Sequence, residues 1–364
     1  MLLVVNAGSS SIKLAVFDET LRQVAQARAE RIGSGGPHSH LEALQQALDQ
    51  MDMPLSSLRG AAHRVVHGGS YLTSACHITD ATVSAIRACV PLAPLHNPAN
   101  LMGIEAIASL CPDLPQYASF DTAFHATNPA VATTYALPKS ARDMGLRRYG
   151  FHGLSYAALV RKVQENGSYP QPNRLLALHL GNGASLCAIH EGRSVATTMG
   201  YSPLDGLTMG TRAGNIDGNA VLKLAEELGI DGAARLLNQG SGLLGLGGAA
   251  DMRSLHAAAT PEATFALDHF CYWVVRHAGS MIAAMGGADA LAFTGGIGEN
   301  DMVLRAKIVA GLGFLGARID PHANAQNRSI LQDTHSNVAI WTVPAEEERQ
   351  IATEAMQIMA GERG

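Results

Sequence analysis

Several polar side chains in this chain stand where packing gives them little reason to be. Arg64 lies inside the strand-like run GAAHRVVHGG, where a guanidinium is costly to bury unless an anion meets it. Arg212 lies in GLTMGTRAGN, a glycine-bounded turn that offers its stem little apolar cover. Asp121 follows the apolar ASF at a strand end, His152 sits in RRYGFHG and His96 in APLHNPAN. Each alone is better read as a satisfied turn or surface residue. His63 and His67 have metal-like spacing, but on a strand with no carboxylate beside them they read as structural.

The segment LLVVNAGSSSIKLAVFDE raises a sharper question. A P-loop needs GxxxxGK[ST] opening a helix, whereas here Ile12, Leu14, Val16 and Phe17 continue as a strand. About half the chain further on, LLALHLGNGASLCAIHEGRS repeats the order: apolar strand, tight glycine turn, apolar strand, acidic turn. In each copy the turn's N–H groups can form an anion-binding concavity without a helix. Two ordinary hairpins would look the same singly; two related copies favour one phosphate loop per domain. A third glycine turn, AFTGGIGEN, precedes DMVLRAKIVAGL, so strand, turn and helix N-terminus are expected in order. Gly311, Gly313 and Gly316 spell GxGxxG after a helix and read as a helix stop.

Strands are expected at LLVVN, IKLAVF, GAAHRVV, LLALHL, SLCAIH, ADALAFT and VAIWTV. Helices are expected at HLEALQQALDQM, NLMGIEAIASL, LSYAALVRKVQE, NAVLKLAEELG, PEATFALDHFCYWVVRHAGSMIAAM, DMVLRAKIVAGL and EEERQIATEAMQIMAG. Their alternation predicts α/β layers. Thr260 and Pro261 mark one helix start, and Glu346, Glu347 and Glu348 suit the positive end of the last.

With 364 residues, 47% of them hydrophobic and 16% charged, the chain can fill about two domains. A net charge of −5 without basic clusters argues against a nucleic-acid partner. Five scattered cysteines without CxxC suggest neither disulfides nor zinc. The N-terminal run is broken by Asn6 and Gly8, and the longest apolar helix by Asp268, Arg276 and His277, so a cytoplasmic protein with no membrane partner is expected. The glycosylation patterns at Asn166–Ser168 and Asn327–Ser329 then carry no meaning.

In order along nearly the whole chain, VNAGSSSIKLAVF, HRVVHGG, APLHNPANLMGIEA, FDTAFH, RRYGFHG, HLGNGASLCA, PLDGLTMGTR, SGLLGLGG and FTGGIGEN resemble the phrases of the acetate kinase family. The resemblance implies an α/β fold of two duplicated actin-like, ribonuclease H-like domains with an interdomain nucleotide cleft that closes. Residues 1–124 plus 345–364 would form the first domain and 125–344 the second. The implied activity is reversible, Mg²⁺-dependent phosphoryl transfer between ATP and acetate, giving acetyl phosphate and ADP; Mn²⁺ would substitute for Mg²⁺. Propionate or another short-chain carboxylate is the alternative acceptor. A homodimer is implied as well.

By the same resemblance, Asn6 and Glu347 would be at the metal. Lys13 and His179, Leu180, Gly181, Asn182 and Gly183 would lie near the ATP phosphates. Asp251, Met252 and Arg253, with Gly296, Ile297, Gly298, Glu299 and Asn300, would hold the adenosine. Arg64 would bind the substrate, His96 would line the site, and Val66, Leu95, Phe151 and Pro203 would wall the acetate methyl. His152 and Arg212 would stabilise the transferring group, with Asp121 as the catalytic carboxylate. Arginine, histidine and Mg²⁺ can offset the charge that spreads over the phosphoryl oxygens. Acetate is already ionised, so Asp121 is expected to position Mg²⁺ or an arginine rather than take a proton. The chain departs from the family at VPAEEERQIA, where a threonine and an asparagine usually precede the glutamates, and this leaves Glu346 and Glu348 open as metal residues.

Overall fold

A computed structural model describes residues 1–33, 35–165, 167 and 169–362, so Asn166 and Ser168 of the first glycosylation pattern lie outside the described residues. The chain forms two compact units. One comprises Met1–Ala126, Gly153–Ala158 and Glu346–Gly364; the other comprises Thr127–His152 and Leu159–Ala345.

The first unit is built on β1 (Leu2–Ala7), β2 (Ser11–Phe17), β3 (Gln23–Glu30), β4 (Ala61–Val65), β5 (Cys76–His77) and β6 (Gln116–Phe120), in the order β3-β2-β1-β4-β6-β5. β1, β4 and β6 run parallel, while β2 and β3 fold back as an antiparallel meander. Both sheet faces are covered, which is why β1 reads as a nearly continuous apolar run. Leu3, Val5, Ile12, Leu14 and Val16 pack in one core with Ala43, Leu44 and Ala47 of helix His40–Gln50 and Ile107 of helix Asn97–Leu110. Leu2, Val4, Ala15, Phe17, Ala62 and Tyr117 pack in another with Ile351, Ala352 and Ala355 of helix Glu347–Gly361.

That alternation positions the site. A strand turns every second side chain to the same face. Asn6 follows Leu2 and Val4, Lys13 precedes Ala15 and Phe17, Arg64 follows Ala62, and Asp121 follows Tyr117 and Ser119. All four therefore emerge on the side of the final helix, where the parallel strands end and where such sheets place their ligands.

The second unit contains β7 (Arg174–Leu180), β8 (Ala184–His190), β9 (Arg193–Thr197), β10 (Ala290–Thr294) and β11 (Ala339–Thr342), ordered β11-β10-β7-β8-β9. Again a three-strand meander leads, and β10 and β11 add parallel to its first strand. β3-β2-β1-β4-β6 and β9-β8-β7-β10-β11 thus have one topology, so the echo between the two sequence segments is a duplicated sheet. Helix Pro261–Met285 opens as expected, with Thr260 Oγ1 accepting from Ala263 N at 3.2 Å.

The structure also revises the expected elements. GGIGEN forms a short helix, Gly295–Asn300, rather than an open turn, because Gly295 at φ +78° swings the chain directly off β10. NAVLKLAEELG runs on to Gln239 across a break at Gly229, φ 71° and ψ 165°. β3, β5, β9 and helix Asp80–Ala88 go beyond the expected set, while β6 ends at Phe120, where ASF marked a strand end before Asp121. The helix stop at Gly311 is present, followed by left-handed Gly316 at φ 73°. The five cysteines are free, and no helix among the described residues is long and apolar enough to cross a membrane.

Candidate active site

In the first unit, the backbone N–H of Asp121 donates to Val65 O at 3.1 Å, extending the β4–β6 ladder by one residue. Its carboxylate, 2% exposed, accepts two parallel bonds from Arg64: Nε to Oδ1 at 3.0 Å and Nη2 to Oδ2 at 2.6 Å. Arg64 Nη1 lies 3.4 Å from Asn6 Oδ1. Burial works against the Arg64 charge, but the carboxylates of Asp121, Glu347 and Glu348 outweigh it and hold the guanidinium firmly protonated.

The final helix presents its acidic first turn to this pair. Burial pushes the Glu347 carboxyl up; Asp121 and Glu348 add to the rise, and Arg64 and Lys13 oppose it. The three glutamates therefore differ. Glu346 pairs with Arg349 at 3.1 Å, Glu348 pairs with Lys13 Nζ at 2.6 Å, and Glu347 is the one whose field is set by Arg64 and Asp121. His96 precedes helix Asn97–Leu110, Val66 is buried at the end of β4, and Leu95 is 53% exposed.

In the second unit, His179 and Leu180 end β7, and the turn Gly181–Asn182–Gly183 is closed by Gly181 N donating to Gly183 O at 3.0 Å. His152 adopts φ 58°, a left-handed conformation that is unfavourable for a non-glycine residue and typical of sites whose surroundings enforce it. Its Nδ1 lies 2.9 Å from Ser185 Oγ, and its ring stacks on His179 at 4.2 Å. A Cβ on Gly183 would stand 3.1 Å from His152 Nε2 and 3.7 Å from Arg212 Nη1. Glycine here lets the hairpin, the imidazole and the guanidinium converge.

Arg212 Nη1 donates to Pro203 O at 3.4 Å and approaches Met209 Sδ at 3.7 Å. No carboxylate among the described residues pairs with it, and burial lowers its pKa. A half-buried cation with neutral neighbours suits an anionic guest. Phe151, at 1% exposure, backs the adjoining His152.

The segments expected around adenosine are held by a separate network. Asp251 caps helix Met252–Ala258, accepting from Ser254 N at 2.9 Å and Ser254 Oγ at 2.8 Å, bonds that keep its carboxyl below the usual range. Met252 is buried and Arg253 exposed. Glu299 Oε1 accepts from Gly295 N and Ala345 N, both at 3.0 Å, so that oxygen is committed to the backbone. Gly296 and Asn300 are exposed and Gly298 is buried, while Ile297 is half-buried. His256 Nε2 meets Asp301 Oδ2 at 2.9 Å and ties the two segments together.

Sequence reasoning missed Arg305. It is 1% exposed, and its Nη1 donates to Gly298 O at 2.9 Å and Glu299 O at 2.7 Å, satisfying the last carbonyls of helix Gly295–Asn300. The signal was an arginine on the apolar face of VLRAKIVAG. Ser185, buried beneath His152, was missed as well.

A sheet built twice in one chain, each copy led by a three-strand meander whose first turn carries glycine, is the architecture of the actin-like α/β phosphotransferases, and this chain is one of them. The model of the acetokinase family matches residues 1–353, and the chain belongs to that family. The acetate kinase of Ectopseudomonas mendocina is 42% identical over 394 residues, covering 98% of each chain. The crystal structure of Porphyromonas gingivalis acetate kinase superposes with a TM-score of 0.90 at 34% identity, over 98% of this chain and 99% of that one. A propionate kinase from Francisella tularensis gives 0.91 at 34% identity, over 97% and 98%.

Proposed function

We propose that the protein transfers the γ-phosphoryl group of ATP to the carboxylate of acetate, reversibly, giving acetyl phosphate and ADP. The observation that carries this reading is the Arg64–Asp121 pair. Both Asp121 oxygens accept from Arg64, which leaves that carboxylate poorly placed to act as a base. A hydroxyl acceptor needs such a base, whereas acetate is ionised near neutral pH and needs none.

An acetate oxygen attacks the γ-phosphorus, the bond to the β-bridging oxygen breaks, and ADP leaves without a proton being moved. Arg64 orients the acceptor carboxylate with the N–H groups that Asp121 leaves free, and His96 lines the same side. Val66 and Leu95 of the first unit, and Phe151 and Pro203 of the second, are the apolar residues assigned to the methyl group. Arg212 and His152 offset the charge on the phosphoryl oxygens. The N–H groups of His179–Gly183, with Lys13, cradle the phosphates. Asp251–Arg253 and Gly296–Asn300 hold the adenosine, positioned by the backbone bonds of Glu299 and Arg305.

The donor set in the first unit fits Mg²⁺. Asn6, Glu347 and Glu348 offer hard oxygens, and Glu347 is pressed by like charges that a cation would relieve. No group of three or more His, Cys, Asp or Glu among the described residues forms a ready metal cage. Mg²⁺ needs none, since it is usually held by one or two carboxylates, water and substrate phosphate. Asn6 and Glu347 would hold it, and Mn²⁺ would substitute. When bound, it neutralises charge on the phosphates.

Propionate is a slower substrate in this reading, because one methylene in an apolar pocket is worth about 1–3 kcal/mol. A homodimer is part of the reading too, supported by the exposed Leu222, Leu228 and Ile230 of helix Gly218–Gln239, and sedimentation measures it. The test of function is ATP formation from ADP and acetyl phosphate, followed by luminescence. Sustained ATP synthesis that requires Mg²⁺ supports the reading; a rate no higher than with phosphoenolpyruvate contradicts it.

A further inference from the structure

The β1–β4 ladder pairs Leu3 with Ala61, Val4 with Ala62 and Val5 with His63, and then stops. The next residues are Asn6 and Arg64, the two side chains that meet at 3.4 Å. Beyond them no backbone pairing joins the strands. A side-chain amide takes its place: Asn100 Oδ1 accepts from Val66 N at 3.0 Å, and its Nδ2 donates to Ala7 O at 2.7 Å. Asn100 is 3% exposed, so neither bond can be exchanged cheaply for one to water. One turn earlier, Asn97, fully buried, accepts from His67 N at 3.1 Å and donates to His67 O at 3.0 Å.

The helix carrying these amides lies close to β1. A Cβ on Gly103, on the same face one turn beyond Asn100, would stand 3.0 Å from Ala7 Cβ, so glycine at 103 permits the approach that lets Asn100 reach Ala7 O. The motif APLHNPANLMG thus does more than present His96.

We infer that Asn100 is a positioning residue: by bridging Ala7 and Val66 across the end of the β1–β4 ladder, it fixes Asn6 against Arg64 and sets where the Val66 side chain stands. The inference rests on the proposed function for the roles of these three residues, but its geometry does not. Asn97 clamps β4's continuation, with a further bond from its Nδ2 to Ile86 O at 3.4 Å, and makes no bond to β1. It serves as an internal control of equal burial on the same helix.

The experiment compares Asn100→Ser, Asn100→Asp and Asn97→Ser in the full chain, each assayed where circular dichroism shows it folded. Displacing Asn6 and Arg64 is expected to raise the acetate KM and the Mg²⁺ half-saturation of the Asn100 variants about tenfold or more, with ATP KM within about twofold. Asn97→Ser is expected to lower Tm and leave both constants unchanged. Mn²⁺ binding by water-proton relaxation, in the presence of ADP, is the readout that does not need turnover. Weaker Mn²⁺ binding in the Asn100 variants alone supports the inference even if the acceptor is not acetate. Unchanged constants and Mn²⁺ binding in both folded Asn100 variants, or the same changes in Asn97→Ser, would overturn it. Absence of acetate turnover in the unmodified protein would instead refute the proposed function.

Discussion

Replacing Arg212 with alanine removes a cation with which no carboxylate among the described residues pairs. Its guanidinium rests on Pro203 O and Met209 Sδ, and burial lowers its pKa, so deleting it strands no partner charge. Folding stability should therefore change little. The rate should not. A charge about 4 Å from a transferring phosphoryl group, at an effective dielectric constant of about 20, is worth about 4 kcal/mol. At about 1.36 kcal/mol per tenfold, that is on the order of 10³-fold in turnover. Arg212→Lys restores a point charge without the planar fork and should recover only part of the loss. The assay is acetyl phosphate formation at saturating ATP and acetate, with Tm measured alongside. A folded Arg212→Ala retaining a tenth of the activity would refute the role, as would a large fall in Tm with turnover per folded molecule unchanged.

Asp121→Asn breaks the charge half of a buried pair, and it should raise the Mg²⁺ half-saturation and the acetate KM while lowering kcat; a change confined to the pH profile would indicate general-base chemistry instead. Among the glutamates, Glu347→Gln should weaken the Mg²⁺ response most, Glu348→Gln less, and Glu346→Gln hardly at all, read from metal titrations of each variant's rate. Gly183→Ala should cost about tenfold or more in kcat by pushing on His152, since reacting groups displaced by a few tenths of an ångström lose alignment; wild-type kcat would show that the approach of hairpin to imidazole has no functional consequence. His63 is buried, and desolvation lowers its pKa from 6.5 to about 4. The unfolded chain then binds more protons between those values, so stability falls as pH drops through that window, by about 3 kcal/mol for this residue. Chemical denaturation at pH 7 and pH 4.5 should show His63→Leu losing less stability than the unmodified chain.

Much of the fold was legible because these strands are buried on both faces, which writes β1, β7, β8 and β10 as nearly continuous apolar runs. The duplication could be read from the repeated order of apolar strand, tight turn, apolar strand and acidic turn. β3 was not legible: QVAQARAE alternates polar residues with small ones and lies at an edge, where half the strand faces water. GGIGEN misled because three glycines suggest a loop, whereas one of them, Gly295, makes the turn and the rest continue as a helix that Arg305 completes. At the site, Arg64 and Asp121 were conspicuous as charges in strands, but their mutual pairing spans 57 positions and no local pattern carries it. The three consecutive glutamates could not be told apart from sequence; their partners Arg349 and Lys13 separate them. Asn100 drew no notice because an amide in a helix start reads as a cap, and only the end of the β1–β4 ladder shows what it bridges.

The most direct test of carboxylate phosphorylation is trapping with hydroxylamine, which converts acyl phosphates to coloured hydroxamates. ATP, Mg²⁺ and the purified protein are incubated with acetate, propionate, butyrate or, as a hydroxyl acceptor, glycerol. Hydroxamate formed fastest with acetate, more slowly with propionate and not at all with glycerol is the predicted result. ADP release without hydroxamate, or ADP release that depends on glycerol alone, would contradict direct transfer to a carboxylate.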